Sequence, residues 1–148
     1  MNIILSIKPK WAEKIYSREK TIEWRKNVPT KADGYSVIFL YETAPVCKVT
    51  GRVAYNGCDA VSVKRKRIDF GGINYISDKE NEDAFNLSVN YGCVKEKDLE
   101  KYQGKSDYVY AWYIQDPEKF KEPKTLADFG LKRPPQSWQY IEEEKTLF

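Results

Sequence analysis

The 148-residue chain contains no histidine. That absence removes Ser-His-Asp and Cys-His catalysis, the HExxH zinc site and any imidazole proton shuttle near neutral pH, so chemistry must run on Lys, Glu, Asp, Tyr, Ser, Thr or Cys. Cysteine is scarce. Cys47, Cys58 and Cys93 form no CxxC pair, which argues against a structural zinc site or a thioredoxin-type couple. Three scattered thiols fit core packing in a reducing compartment. Long hydrophobic runs are missing too. The apolar stretch near the start, Ile3 to Leu5, gives way to Ser6 and then to charge, too short for a signal peptide or a membrane span. The expectation is a soluble, cytoplasmic protein that does not enter membranes. Without repeats, low-complexity tracts or linkers, residues 1–148 read as a single domain long enough to bury its own core.

What is present in excess is aromatic: 4 Trp, 11 Tyr and 6 Phe. Net charge is only +3, yet residues 1–70 carry 14 Lys/Arg against 7 Asp/Glu, whereas residues 71–148 carry 11 against 15. The basic half suits an anionic partner, nucleic acid or a phosphorylated small molecule; it also suits a merely solvated basic face. Periodicity predicts strands at Asn2–Ile7, Lys20–Lys26, Tyr35–Tyr41, Val46–Tyr55 with a bulge at Gly51, Ala60–Phe70, Tyr108–Ile114 and Trp138–Ile141. Helices are predicted from Pro9 to about Ser17, from Lys79 to about Asn90 and from Lys95 to Tyr102, with Gly104 as a C-terminal cap. Four prolines interrupt the last third and leave room for a short turn around Thr125 to Phe129. Strands dominate, which predicts an α+β protein: a small barrel of about six strands with two or three flanking helices.

The segment SREKTIEWRK (Ser17 to Lys26) carries the richest chemistry. On a strand, Glu23 and Arg25 share a face, and Lys20 at its start reaches the same place. A guanidinium fork recognises phosphate or a base edge, a carboxylate accepts from exocyclic amines, and a desolvated lysine acts as a base or a charge stabiliser. The same spacing also builds an ordinary surface ion-pair ladder. Lys64, Arg65, Lys66 and Arg67 follow one another in a stretch read as strand, where alternate residues would project to one side as phosphate contacts, with Tyr55, Phe70 and Tyr75 near for stacking. Gln136, Ser137 and Trp138, stiffened by Pro134 and Pro135, fit either a pocket rim or a turn that packs Trp138. The acidic pairs Asp78 with Glu80, and Glu142 to Glu144, do not form a dedicated metal cage, although a divalent ion held jointly with a phosphate ligand stays open.

At these residues the sequence resembles the ASCH domain family of the PUA-like superfamily. The family signature G-x-K-x-x-E-x-R is met by Lys20, Glu23 and Arg25, with Arg18 standing where the signature has Gly. Similar stretches are ILSIKPKWAEKI, FLYETAPV followed by Lys48, and DFGLKRPPQSWQYI. The resemblance implies a PUA-like β-barrel whose cleft takes RNA or a nucleotide-like ligand, lined by Lys20, Glu23 and Arg25 together with Tyr41, Thr43, Lys48, Gln136, Ser137 and Trp138. It implies fold more tightly than function, because the family includes RNA-binding modules, a metal-dependent ribonuclease and amidohydrolases acting on acetylated cytidine. In the last of these a Thr nucleophile stands where this chain has Glu23. Two readings follow: a binding module for RNA or a nucleotide, and a hydrolase on RNA or modified nucleosides, metal-assisted or not, that uses Lys20 and Glu23. No resident cofactor is implied, and oligomeric state is not legible.

Overall fold

The computed structural model describes residues 1–70 and 76–142. Among the described residues seven strands, three α-helices and one 3-10 turn make an α+β fold, as the periodicity predicts. Six strands are hydrogen-bonded in the order β2-β6-β4-β3-β1-β7, and β5 adds to β4. Here β1 is Asn2–Ile7, β2 Ile22–Arg25, β3 Val37–Glu42, β4 Lys48–Ser62, β5 Arg67–Asp69, β6 Val109–Lys124 and β7 Trp138–Ile141. The helices are α1 (Pro9–Tyr16), α2 (Asp78–Tyr91) and α3 (Glu96–Gln103). The chain divides into two compact units: residues 1–18, 30–56 and 114–148 form the first, residues 19–29 and 57–113 the second. Strands β4 and β6 contribute residues to both. Among the described residues, no helix is long and apolar enough to cross a membrane.

In the first unit β1 lies between β3 and β7. It pairs in parallel with β3 (Leu5 opposite Leu40, Ser6 opposite Tyr41) and antiparallel with β7 (Leu5 opposite Trp138). Parallel neighbours need a crossover between them, and burial on both faces explains the unbroken apolar character of Ile3 to Leu5 and Ile38 to Leu40. Pro9 starts α1, where its fixed φ suits the first turn and its missing N–H leaves no bond unmade; Ala12 and Ile15 are the buried side. Ile4, Phe39, Tyr41, Val49, Phe129 and Ile141 form the core, with the Phe39 and Phe129 rings 4.9 Å apart. Each such side chain contributes about 2 kcal/mol when fully removed from water. The bulge expected at Gly51 falls one residue earlier. Leu40 faces Gly51 and Tyr41 faces Val49, so Thr50 is the extra residue, and its Oγ1 meets the Tyr16 hydroxyl at 2.7 Å. Gly51 itself sits against the Glu118 carbonyl, where an added Cβ would come within 2.3 Å.

Two sequence expectations are corrected by the strands. β6 continues to Lys124 rather than stopping near Ile114. Pro117 and Pro123 are tolerated because a proline breaks a strand only where its missing N–H would have bonded a neighbour. The second correction concerns Lys64 to Arg67. Ala60–Phe70 is not one strand: Val63–Lys66 is the turn between β4 and β5, with the Lys66 amide donating to the Val63 carbonyl at 3.2 Å and Lys66 at φ 53°. Lys64, Arg65 and Lys66 are exposed on this turn, where face alternation does not apply, and Arg67, also exposed, opens β5.

The second unit packs α2 and α3 on β2, β5 and the adjoining parts of β4 and β6. Its core is Ile22, Trp24, Val61, Val63, Ile68, Phe85, Leu99, Val109 and Ala111. Ser77 caps α2 by accepting from the Glu80 amide, and Gly104 ends α3 at φ 58°, a backbone that glycine adopts without Cβ strain. Two buried amides lock helices to strands. Asn81 of α2 accepts from the Ile68 amide and donates to the Ile68 carbonyl, both at 2.9 Å. Gln103 of α3 accepts from the Val63 amide at 2.7 Å and donates to the Ser106 and Asp107 carbonyls.

Candidate functional site

Strand β2 pairs with β6 so that Glu23 lies opposite Trp112 and Arg25 opposite Tyr110. Strand periodicity then turns Glu23 and Arg25 to one face and Ile22 and Trp24 to the apolar core. Lys20 precedes the strand, where the chain is tied to the end of α2 by the Thr21 amide donating to the Tyr91 carbonyl at 3.0 Å. The three charged side chains meet. Glu23 gives Oε2 to Arg25, which donates from Nε at 2.9 Å and from Nη2 at 2.5 Å, and turns Oε1 toward the Lys20 ammonium at 3.4 Å. The Lys20 Nζ also donates to the Gly92 carbonyl at 2.5 Å.

This is no surface ladder. Lys20 is 2% exposed and Glu23 6%, and the Arg25 side chain is the member nearest solvent. Burial lowers the Lys20 ammonium from its ordinary value, and the Glu23 charge only partly offsets it. Burial alone would raise the Glu23 carboxyl, but the charges of Arg25 and Lys20 and their hydrogen bonds outweigh it, so Glu23 titrates below the usual carboxylate range. One carboxylate is shared between two cations.

Two neighbours were not singled out in the sequence. Tyr102 of α3 is half-buried, its hydroxyl is raised by burial while sensing the charges of Arg25 and Glu23, and the Lys26 ammonium lies 4.9 Å from its ring centre. Gly92, the cap of α2, is the second. A Cβ there would fall 1.9 Å from the Trp24 indole nitrogen, so only glycine lets the chain pass close enough to offer its carbonyl to Lys20. Signals existed in both cases: the helical spacing of Leu99 and Tyr102, and a glycine between two helical patterns.

Arg18 carries the other local surprise. It adopts φ 71°, the left-handed region that glycine enters freely. Arginine thus holds, at the position where the signature has glycine, a backbone that glycine would adopt without strain.

The remaining candidates of the resemblance lie in the first unit; Lys48 starts β4 opposite Glu42, and the others flank β1. Tyr41 and the Pro135–Ser137 segment stand on either side of Ser6: Ser6 pairs with Tyr41, its amide donates to the Ser137 carbonyl at 2.9 Å and its hydroxyl to the Pro135 carbonyl at 2.6 Å. Thr43 is next, its amide donating to the Ile7 carbonyl. Tyr41 is buried in the core, and Lys48, Gln136 and Ser137 are exposed. Trp138 is half-buried and meets Tyr140 edge to face at 5.1 Å, so it packs on its neighbour within β7. Ser6, the hinge of this group, was missed because a serine inside an apolar strand looks like a pause in it.

Of the basic run, Arg67 is paired with Asp78 at 2.9 Å and Lys66 with Glu96 at 3.7 Å, while Lys64 donates to the Gly104 carbonyl. Tyr75, offered above as a stacking partner, lies outside the described residues, as do Glu143 and Glu144. The thiols are free: Cys47 is exposed rather than in the core, Cys58 is pushed up to about 12 by burial and the Asp59 charge, and Cys93 is half-buried. Among the described residues, no three His, Cys, Asp or Glu side chains come together as a metal cage.

No family model and no curated protein matches the sequence. Solved structures do match. The chain is similar to an ASCH protein of Zymomonas mobilis, with 21% identity and a TM-score of 0.75 over 98% of this chain and 90% of that one. Two single-residue variants of that protein match equally well, at 20% and 19% identity. At this identity the likeness establishes the fold, which is the ASCH fold the sequence resembles.

Proposed function

We propose that the protein binds RNA or a nucleotide-like ligand through the Lys20–Glu23–Arg25 group. The observation that carries the reading is the division of one buried carboxylate, Glu23, between two cations, which fixes both and holds the Arg25 guanidinium at the margin of the group nearest solvent. An ion pair placed only for stability would be weak reason to bury three charges, because well-packed apolar residues do as well or better. A held guanidinium is a preorganised fork for phosphate or for a guanine edge. Arg25 meets the anion, Glu23 orients Arg25 and accepts from an exocyclic amine, and Lys20 anchors Glu23 to the Gly92 carbonyl. The ASCH fold, shared with the Zymomonas protein, supports this placement. Titration of the protein with labelled single-stranded RNA and with nucleoside monophosphates across salt tests it. Affinity should fall with rising salt, and R25M should lose at least tenfold; affinity indifferent to both sinks the reading.

One observation favours a second reading, hydrolysis of RNA or of a modified nucleoside. The Lys20 ammonium is lowered by burial, so its neutral amine is within closer reach of working pH than that of a solvated lysine. Lys20 would take the proton and Glu23 would hold the cation that forms. Incubation with RNA and acylated nucleosides, with and without Mg²⁺ or Mn²⁺, tests this. Turnover lost in K20M with folding intact supports it, and no turnover under any condition rejects it.

A further inference from the structure

The β4–β5 turn and the loop that follows α3 enclose a second site in the same unit. A groove of about 300 Å³ lies between them, lined among others by Ser62, Lys64, Arg65, Lys105, Ser106 and Tyr108. It is built, not incidental. The side chain of Gln103, 3% exposed, lies under it and ties both walls: Oε1 accepts from the Val63 amide of one turn, and Nε2 donates to the Ser106 and Asp107 carbonyls of the other at 3.0 and 2.9 Å. Lys64 crosses the same gap to the Gly104 carbonyl. Three cations line the groove against the single carboxylate of Asp107.

The ion pairing sorts the basic run. Lys66 and Arg67 are engaged by Glu96 of α3 and Asp78 of α2. Arg65 and Lys105 have exposed side chains, one from each wall, with no ion-pair partner among the described residues. Beside them Tyr108 is 38% exposed, although it directly precedes a fully buried strand residue, Val109. Two cations on rigid turns, hydroxyls from Ser62 and Ser106, and an open aromatic ring are what a phosphate and its adjoining unpaired base require.

We propose that this groove binds the phosphodiester backbone of single-stranded nucleic acid, with Arg65 and Lys105 on phosphate and a base stacked on Tyr108. The proposal rests on the nucleic-acid reading of the Lys20–Glu23–Arg25 group and adds the strand contacts that a mononucleotide would not make. A duplex hides its base faces, so Tyr108 selects single strands.

Binding of a labelled oligouridine, of the same strand in duplex and of UMP is measured for the full chain and for R65A/K105A, Y108A and R25M. All the altered groove side chains are on the surface, and circular dichroism checks the fold. The double variant should bind the oligonucleotide at least tenfold more weakly and flatten the slope of log affinity against log salt by about 1.4, two phosphate contacts at about 0.7 each. UMP binding should be unchanged in it and lost in R25M. Y108A should lose about tenfold for the single strand. An unchanged oligonucleotide affinity and slope in R65A/K105A, with R25M defective, overturns the groove and leaves the first site standing. The reverse pattern overturns the first site and supports the groove. Equal affinity for the duplex, with Y108A silent, overturns the single-strand assignment, and no binding of either probe by the unaltered chain overturns both sites.

Discussion

Replacing Glu23 by Gln should be the most damaging single change in the Lys20–Glu23–Arg25 group, although it alters the shape of the side chain least. The carboxylate faces Lys20 at 3.4 Å and Arg25 at 2.5 Å. At an effective dielectric of 20, the longer of these pairs alone carries about 5 kcal/mol of gross attraction. Desolvation offsets most of it, but that cost is not recovered when only the carboxylate is removed, because the cations stay where they are. Removing one partner of a buried pair costs about 3–5 kcal/mol. The amide oxygen of Gln still accepts from Arg25, which puts E23Q near the lower end, about 3 kcal/mol. K20M behaves differently. It removes one cation, leaves the Glu23–Arg25 pair intact and fills the space with a flexible apolar chain, so its cost should be about 1 kcal/mol, that of the lost hydrogen bond to Gly92. In K20M/E23Q the remaining charge is Arg25, the member nearest solvent, and the double variant should be more stable than the two single costs added together. Urea unfolding of the four proteins at pH 7 closes the cycle, with the midpoint shifting at constant m. An E23Q cost below that of K20M, or strict additivity, would refute the claim that Glu23 is the hub.

Other consequences follow from the same geometry. As pH falls below the ordinary carboxylate value of 4.5 stability should drop, because the lowered Glu23 carboxyl contributes stability that is fully present above 4.5 and is lost as pH falls through the lower folded value; E23Q should lose this component of the acid limb in pH-dependent urea melts. Lys20 acts in the alkaline range: with its folded value below 10.5, the penalty of burying the ammonium is relieved as pH rises toward 10.5, and K20M should abolish that gain. G92A should cost about 1–3 kcal/mol in thermal melts, since its Cβ would meet the Trp24 indole at 1.9 Å. R18G should raise stability by about 0.5 kcal/mol, the relief of a left-handed arginine less the added freedom of the unfolded chain; a clear loss would mean that the Arg18 side chain contributes more than its strained backbone costs.

Why some of this was legible in the sequence and some was not comes down to how far each cause reaches along the chain. β1, α1 and β7 were readable because their determinants are local: an apolar run, a proline at a first turn, a Trp-Gln-Tyr-Ile alternation. Strand periodicity was enough to put Glu23 and Arg25 on one face. It could not tell a surface ladder from a buried group, because burial is decided by Gly92 and Tyr102, about seventy to eighty residues away in sequence, arriving from α2 and α3. The basic run failed in the opposite way. Lys64 to Arg67 looked like part of a strand because Val61, Val63 and Ile68 surround it, and all three are indeed core. What breaks the strand is that a β-hairpin must reverse within a few residues, and four consecutive solvated cations mark the reversal better than they mark a face. With three of them on the turn and Arg67 at the start of β5, position rather than composition sets their roles. Helices α2 and α3 present Asp78 and Glu96 to Arg67 and Lys66, and Gln103 holds the turn so that Arg65 stands clear. A sequence count therefore overstates the charge open to a ligand here by about a factor of two, and the cation that completes the site, Lys105, comes from a loop that no run of basic residues announces.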